Sequence, residues 1–205
     1  QQVVEAVTGK TLDAYLVSEF YRPMGLEHTL FQPLNRYKKA DIMPTAANDY
    51  LRRQDLCGYV HDEAAAFMGG VSGNARIVFN GPRVGEKIYQ MILNEGELDG
   101  KRYLRPETCR IFTTEKSAVS HRGLGYDKPN LKDPKANACA SSAPASVYGH
   151  TGFTGTCTWV DPENDLVYIF LSNRLCPDAW NGKLNSMKLR QAIQEVIYQS
   201  LYTPE

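Results

Sequence analysis

The segment Tyr148-Gly149-His150-Thr151-Gly152-Phe153-Thr154-Gly155-Thr156 holds the residue types best suited to chemistry in this chain. Glycines at 149, 152 and 155 let a backbone come close to a ligand where a strand begins. Backbone N–H groups left unpaired there could hold a developing oxyanion, an effect that typically supplies several kcal/mol of transition-state stabilisation. His150 adds an imidazole and Thr151 a hydroxyl. A glycine-rich strand entry carrying a surface histidine is the competing reading, and the segment alone does not separate the two.

The elements around the segment are the clearest in the chain. Gly155 to Asp161 alternates and is rich in Thr, Trp and Val, Pro162-Glu163-Asn164-Asp165 is a turn, and Leu166 to Leu171 is almost wholly apolar. This pattern predicts a β-hairpin whose second strand is central and buried. Asn181 is placed to cap a closing helix with Leu184, Leu189, Ile193, Val196, Ile197 and Leu201 at roughly helical spacing. At the other end, Gln1 to Thr8 reads as the tail of a helix closed by Gly9, and Thr11 opens a second helix that Pro23 ends. Residues 23–60 read as irregular. Helices are expected around Glu86 to Asn94 and after Pro106, and a long polar loop from Ser117 to Ser146. The domain reading is a mostly helical and loop region over 1–145, followed by a hairpin and helix over 146–205. A lone hairpin with two apolar faces is marginal in water. The expectation is therefore that strands are missing from the sheet and that its exposed edge pairs in a homodimer.

Composition narrows the function. Lys plus Arg and Asp plus Glu are equal at 23 each among 205 residues, so no electrostatic argument favours nucleic acid or an anionic membrane. No apolar run approaches the ~20 residues of a transmembrane segment. The opening Gln1-Gln2-Val3-Val4-Glu5 has no basic stretch of the kind that begins a signal peptide, so targeting information is expected to lie outside the numbering. The five cysteines (Cys57, Cys109, Cys139, Cys157, Cys176) form no C-x-x-C pair. That argues against zinc and for apolar filler roles. His61-Asp62-Glu63 lacks a second histidine four residues on, so no metal is expected. Cys157 with His150 would make a Cys–His hydrolase, but Cys157 sits mid-strand as a packed side chain. The 12 tyrosines are scattered, as in ordinary packing.

Tyr148-Gly149-His150-Thr151-Gly152, then Trp159-Val160-Asp161-Pro162, then Phe170-Leu171-Ser172-Asn173-Arg174, resembles the last third of the serine β-lactamase and penicillin-binding superfamily, in which a K-T-G or H-T-G triplet opens the strand beside the nucleophile. Val7-Thr8-Gly9-Lys10-Thr11-Leu12 with Pro23-Met24-Gly25-Leu26 and Thr29-Leu30-Phe31, and Val60-His61-Asp62-Glu63 through Gly69-Gly70-Val71-Ser72-Gly73-Asn74-Ala75, resemble earlier stretches of the same family in the same order. The resemblance implies an α+β fold of the β-lactamase/transpeptidase type, an antiparallel sheet with flanking helices. It places His150 where the family has Lys or His, near the substrate carboxylate or the proton-relay tyrosine. An imidazole carries its charge more conditionally than an ammonium. Thr151 offers its hydroxyl to the substrate, Gly152 allows close approach, and the Phe153 N–H donates to the oxyanion. Asn173 and Arg174 are candidates to line the site, with a structural role as the competing reading. Residues 76–86, with Gly81, Pro82 and Gly85, depart from the family pattern where a helix should begin.

The resemblance also defines what the sequence lacks. No serine is followed by Lys three residues on, and no Tyr-x-Asn occurs. In the family both motifs precede the stretch where this numbering starts, together with the first strands and the nucleophile helix. An activated nucleophile needs its base within hydrogen-bond reach. The expectation is therefore the C-terminal portion of a serine hydrolase, inactive alone. Completed by the missing N-terminal part of the same protein, it would hydrolyse a β-lactam, a D-Ala peptide or an ester through an acyl-enzyme. The substrate would be a small molecule or a peptidoglycan-derived peptide, no cofactor is implied, and the location would be periplasmic or extracytoplasmic. The alternative is a non-catalytic cell-wall-binding or accessory module of the kind attached to family 3 β-N-acetylglucosaminidases.

Overall fold

The structure, a computed structural model, describes residues 1–73, 83–114 and 117–202. The chain forms two compact units, Gln1–Val84 with Asn173–Asn181, and Gly85–Ser172 with Gly182–Glu205.

In the first unit, helix α1 (Gln2–Thr8) ends at Gly9, which is left-handed (φ 68°) and returns its N–H to the Glu5 carbonyl. Thr11 precedes α2 (Leu12–Leu16) but makes no side-chain cap. Glu5 takes that role, its Oε1 accepting the Leu12 N–H at 3.0 Å. The chain continues through a π-helical turn, Val17–Tyr21, before Pro23. Leu12, Tyr21, Met24, Leu26 and Phe31 are buried along this stretch. The region expected to be irregular contains a second hairpin, β1 (Pro44–Asp49) paired antiparallel with β2 (Gln54–Cys57). Its turn is held by Asp49, which accepts the Arg52 N–H at 2.7 Å, while the Arg52 guanidinium donates to the carbonyls of Val60 and His61. Asp62 caps α3 (Glu63–Phe67) by accepting the Ala65 N–H at 2.7 Å. The atypical stretch 76–86 falls largely outside the described residues; its end opens helix α4 (Arg83–Leu93).

The second unit is an α+β sandwich. A small hairpin, β3 (Glu97–Leu98) and β4 (Lys101–Arg102), turns on Asp99 and Gly100, both with positive φ as a type I′ turn requires. Helix α5 (Pro106–Thr114) follows. Then come β5 (Tyr148–Thr151), β6 (Cys157–Asp161) and β7 (Leu166–Phe170), antiparallel in the order β5-β6-β7. The predicted hairpin is therefore β6-β7, but its first strand is the central one. β7 lies at the edge and is mostly half-buried, because the glycine segment itself forms β5 and pairs with the other side of β6.

The pleat divides the side chains between two helices. Residues of α4 from Gly85 on lie on one face: a Cβ on Gly85 would come 2.9 Å from Ile169 Cδ1, and Tyr89 hydrogen-bonds the side chain of Thr158. On the other face Val147, Cys157, Trp159 and Tyr168 pack with Cys139, Ala140, Ala143 and Tyr198. Tyr198 belongs to α7 (Leu189–Tyr202), which follows a short helix, α6 (Lys183–Ser186). Asn181 does not cap this pair; Gly182 precedes α6. Only part of the apolar row read from the sequence faces inward on α7: Ile197 packs against the core, while Ile193, Val196 and Leu201 are exposed. Gln194 and Tyr198 point inward, because the helix grips backbone: Gln194 Oε1 accepts the Ala140 N–H at 2.9 Å, Glu195 accepts the Ser141 N–H at 3.0 Å, and Gln191 donates to the Asn137 carbonyl at 3.3 Å.

Candidate functional site

Gly149 is the point at which β5 must pass closest to its neighbour. A Cβ there would sit 2.1 Å from the Thr158 carbonyl oxygen and 2.9 Å from the Trp159 Cα, so no other residue fits without moving backbone. Its own N–H and C=O face away from β6 and pair with Asp127, at 3.0 and 2.7 Å. The strand's outer edge is thus covered at residue 149. Hydrogen-bonding direction repeats every second residue in a strand, so the backbone of Thr151 faces the same outer side, beyond the Asp127 bridge. His150 is exposed beside it, with Nδ1 2.7 Å from the Thr151 carbonyl oxygen.

The chain then reverses in a tight loop. The Gly152 N–H donates to the Thr156 carbonyl at 2.7 Å, and the Gly155 N–H returns to the Gly152 carbonyl at 3.0 Å. Gly155 adopts φ 112°, a region closed to ordinary side chains. Phe153 leads this loop with its ring largely exposed. His150, Thr151, Gly152 and Phe153 are thereby gathered at one end of β5.

Below them the strand is anchored by residues 126–128. The Tyr126 ring meets Tyr148 edge-on with centroids 5.2 Å apart, and burial pushes both phenols above their ordinary range. Lys128 is buried, donating from Nζ to the Thr113 carbonyl at the C-terminal end of α5 (2.6 Å) and to the Ser146 carbonyl just before β5 (3.1 Å). A cation suits the negative end of a helix dipole. The Asp127 carboxylate, also buried, faces Arg122 Nε at 3.0 Å.

Asn173 and Arg174 belong to the first unit. Asn173 is an anchor there: its Nδ2 donates to the carbonyls of Pro44 and Thr45 at 2.6 and 3.2 Å, and its Oδ1 accepts the Leu175 N–H at 2.9 Å. Cys157 lies on the face of β6 that packs into the core. Burial raises its thiol to about 11 despite the opposing charge of Arg190, the reverse of an activated nucleophile. His61 and Asp62 serve the folds of the Arg52 turn and α3. One Tyr-x-Ser triplet exists, Tyr198-Gln199-Ser200, but it lies on α7 with the Tyr198 hydroxyl donated to buried Asp161 at 2.8 Å. Among the described residues no group of three or more His, Cys, Asp or Glu is placed to hold a metal ion, and no helix is long and apolar enough to cross a membrane.

Comparison with known proteins gives one consistent result. The family model described as Beta-lactamase matches residues 1–186. A protein of Escherichia coli strain K12 named "Putative D-alanyl-D-alanine carboxypeptidase" is 36% identical over 184 residues, covering 84% of this chain and 42% of that protein. One of the same name from Salmonella schwarzengrund is 32% identical over 202 residues, covering 89% of this chain and 45% of that protein. The chain thus spans less than half the length of these curated relatives. Among solved structures, a beta-lactamase from Mycobacterium bovis superposes with a TM-score of 0.59 at 17% identity, covering 97% of this chain and 60% of that one. A penicillin-binding protein homologue from Caulobacter crescentus gives 0.53 at 18% identity, covering 84% of this chain and 49% of that one. At such identities the superpositions speak for the fold, which is that of β-lactamases and transpeptidases.

Proposed function

This chain belongs to the beta-lactamase family, and on that premise we propose that it forms the substrate-side wall of a serine acyl-transfer site acting on a D-alanyl peptide or a β-lactam. The observation that carries the reading is the outer edge of β5. Asp127 covers it at Gly149 and leaves the backbone of Thr151 facing outward, beside an exposed His150 and a glycine-framed loop. An acyl donor with an amide group can add to such an edge by main-chain hydrogen bonds, which give affinity while side chains give selectivity. In this reading the Thr151 hydroxyl and His150 hold the substrate's carboxylate end, Gly152 permits its approach, and the Phe153 N–H donates to the oxyanion. Asn173 and Arg174 contribute only through the shape of their own unit. The name shared by the curated relatives supports a D-alanyl peptide as substrate and an extracytoplasmic location.

The 205 residues contain no Ser-x-x-Lys, so the nucleophile and its base come from polypeptide not represented here, and this chain by itself does not turn over substrate. The same absence favours, as a second reading, a non-catalytic module that keeps the edge to bind wall peptide. Labelling with a fluorescent penicillin separates the readings. The chain alone gives no covalent adduct, and the chain joined to a segment bearing Ser-x-x-Lys and Tyr-x-Asn does. A covalent adduct on the isolated chain overturns the first reading, and no adduct in either form leaves the binding module standing. The β7 edge, half-buried and apolar, is where further strands or a second copy would pair.

A further inference from the structure

Arg190 stands in the first turn of α7, where the helix dipole disfavours a cation and where no acidic residue is present to offset it. Its Nε is buried without a hydrogen-bond partner. A residue that breaks two local rules is held in place by something else it does. Its guanidinium makes two hydrogen bonds. One arm donates to the Thr156 carbonyl at 3.3 Å, and the other to Asn185 Oδ1 at 3.1 Å. The Thr156 carbonyl is the oxygen that also accepts the Gly152 N–H and so closes the loop carrying Phe153. The arginine's own carbonyl is fixed in turn, accepting the Tyr168 hydroxyl from β7 at 3.1 Å. The loop after His150-Thr151-Gly152 is therefore clamped from below by a chain running from β7 through α7 to Thr156.

We propose that Arg190 is a positioning residue: through the Thr156 carbonyl it holds the Gly152–Thr156 loop, and with it the Phe153 N–H, in the orientation acyl transfer needs. The proposal rests on the role given to Phe153 above. A backbone donor acts only if it is already aimed at the position the oxyanion will occupy, and deleting one such donor typically costs about 100- to 1,000-fold in rate. Loosening its loop misplaces the donor without deleting it, so the expected loss is smaller, about tenfold.

Two measurements test this on Arg190→Ala and Arg190→Lys. The first is amide hydrogen exchange on this chain. Arg190→Ala speeds exchange of the hydrogen-bonded loop amides of Gly152 and Gly155 about tenfold while the amides of Trp159 and Tyr168 keep their protection, and Arg190→Lys restores part of the difference. Unchanged loop exchange, or exchange raised equally throughout the unit, overturns the clamp whether or not the chain ever takes part in catalysis. The second is penicillin acylation of the chain joined to a nucleophile-bearing segment. Arg190→Ala lowers the acylation rate constant of the reactive fraction about tenfold with half-saturation within twofold of the parent. A fall only in the reactive fraction, with its rate constant unchanged, means that the arginine serves folding alone and overturns the positioning role. If the joined chain never acylates, the reading of Phe153 has failed, while the exchange measurement still decides the clamp.

Discussion

Removing the Asp161 carboxylate tests whether the β6-β7 turn and α7 form one unit. Asp161 is buried and has no cationic partner among the described residues; four donors satisfy it instead. Oδ1 accepts the N–H groups of Glu163 and Asn164 at 2.9 and 3.3 Å, and Oδ2 accepts Asn164 Nδ2 at 2.7 Å and the Tyr198 hydroxyl at 2.8 Å. Asp161→Ala loses all four. The turn N–H groups are near solvent and can be rehydrated, whereas Tyr198 is 1% exposed and water cannot replace the carboxylate that its hydroxyl donates to. A stranded buried hydroxyl costs about 1–3 kcal/mol and a bond to a charged acceptor contributes about 1.5–3, so the substitution destabilises by about 3.5 kcal/mol. Tyr198→Phe removes one donor from a carboxylate that keeps three, a loss of about 1.5 kcal/mol. With both changes the hydroxyl is gone and its penalty of about 2 kcal/mol goes with it, so the double variant is less unstable than Asp161→Ala, at about 1.5 kcal/mol, and the coupling is about 3.5 kcal/mol. The assay is urea unfolding followed by Trp159 fluorescence in a Trp180→Phe background, since Trp159 is buried in the same cluster as Tyr198 and Trp180 is exposed in the other unit. Additive single effects, with coupling below about 0.5 kcal/mol, refute the argument.

The two glycines of the candidate site should part company. Gly149→Ala drives a Cβ into backbone and prevents the second unit from folding, read by loss of near-ultraviolet dichroism; Gly152→Ala meets only the Thr156 hydroxyl at 2.2 Å, a rotatable atom, so the fold survives within about 1 kcal/mol. Among the thiols, Cys176 is half-exposed while the other four are buried, so a maleimide at mildly alkaline pH labels Cys176 first, and rapid labelling of Cys157 in native protein contradicts the packing. Burial lifts Cys157 to about 11 and Cys139 to about 12 from an ordinary 9.0. The unfolded chain therefore loses these protons first, and stability is full below pH 9.0 and falls as pH rises towards 11 and 12. Cys139→Ala flattens part of that slope in urea titrations, and an unchanged slope argues against the buried thiol. Finally, a β7 edge that is half-buried and unpaired among the described residues predicts concentration-dependent dimers or binding of a hydrophobic dye; a dye-negative monomer counts against it.

What the sequence revealed follows how local each signal is. The β6-β7 hairpin was legible because its apolar run and its Pro-Glu-Asn-Asp turn lie within about a dozen residues, and the glycine segment because closeness of backbones is written directly as missing side chains. The β1-β2 hairpin escaped because Pro44-Thr45-Ala46-Ala47-Asn48-Asp49 has almost no β-branched residue, and because Arg52 stabilises the turn by reaching the carbonyls of Val60 and His61, bonds no pattern displays. The face of α7 was misread for a related reason. Apolar periodicity identifies a buried stripe when side chains pack against side chains, but here Gln191, Gln194 and Glu195 bind the backbone of residues 137–142, so the inward face mixes these polar residues with Ile197 and Tyr198, and Ile193 and Val196 turn outward. Arg190 belongs to the same class. Its partner Thr156 is 34 residues away and is engaged through a carbonyl, which any residue at position 156 would supply. Side chain-to-backbone bonds of this kind leave a signature at one end only, and at that end it reads as a misplaced charge. A charge out of place in a helix is thus informative where a hydrophobic one is not, because it marks where the fold is fixing backbone, and in this chain the backbone so fixed is the loop beside the candidate site.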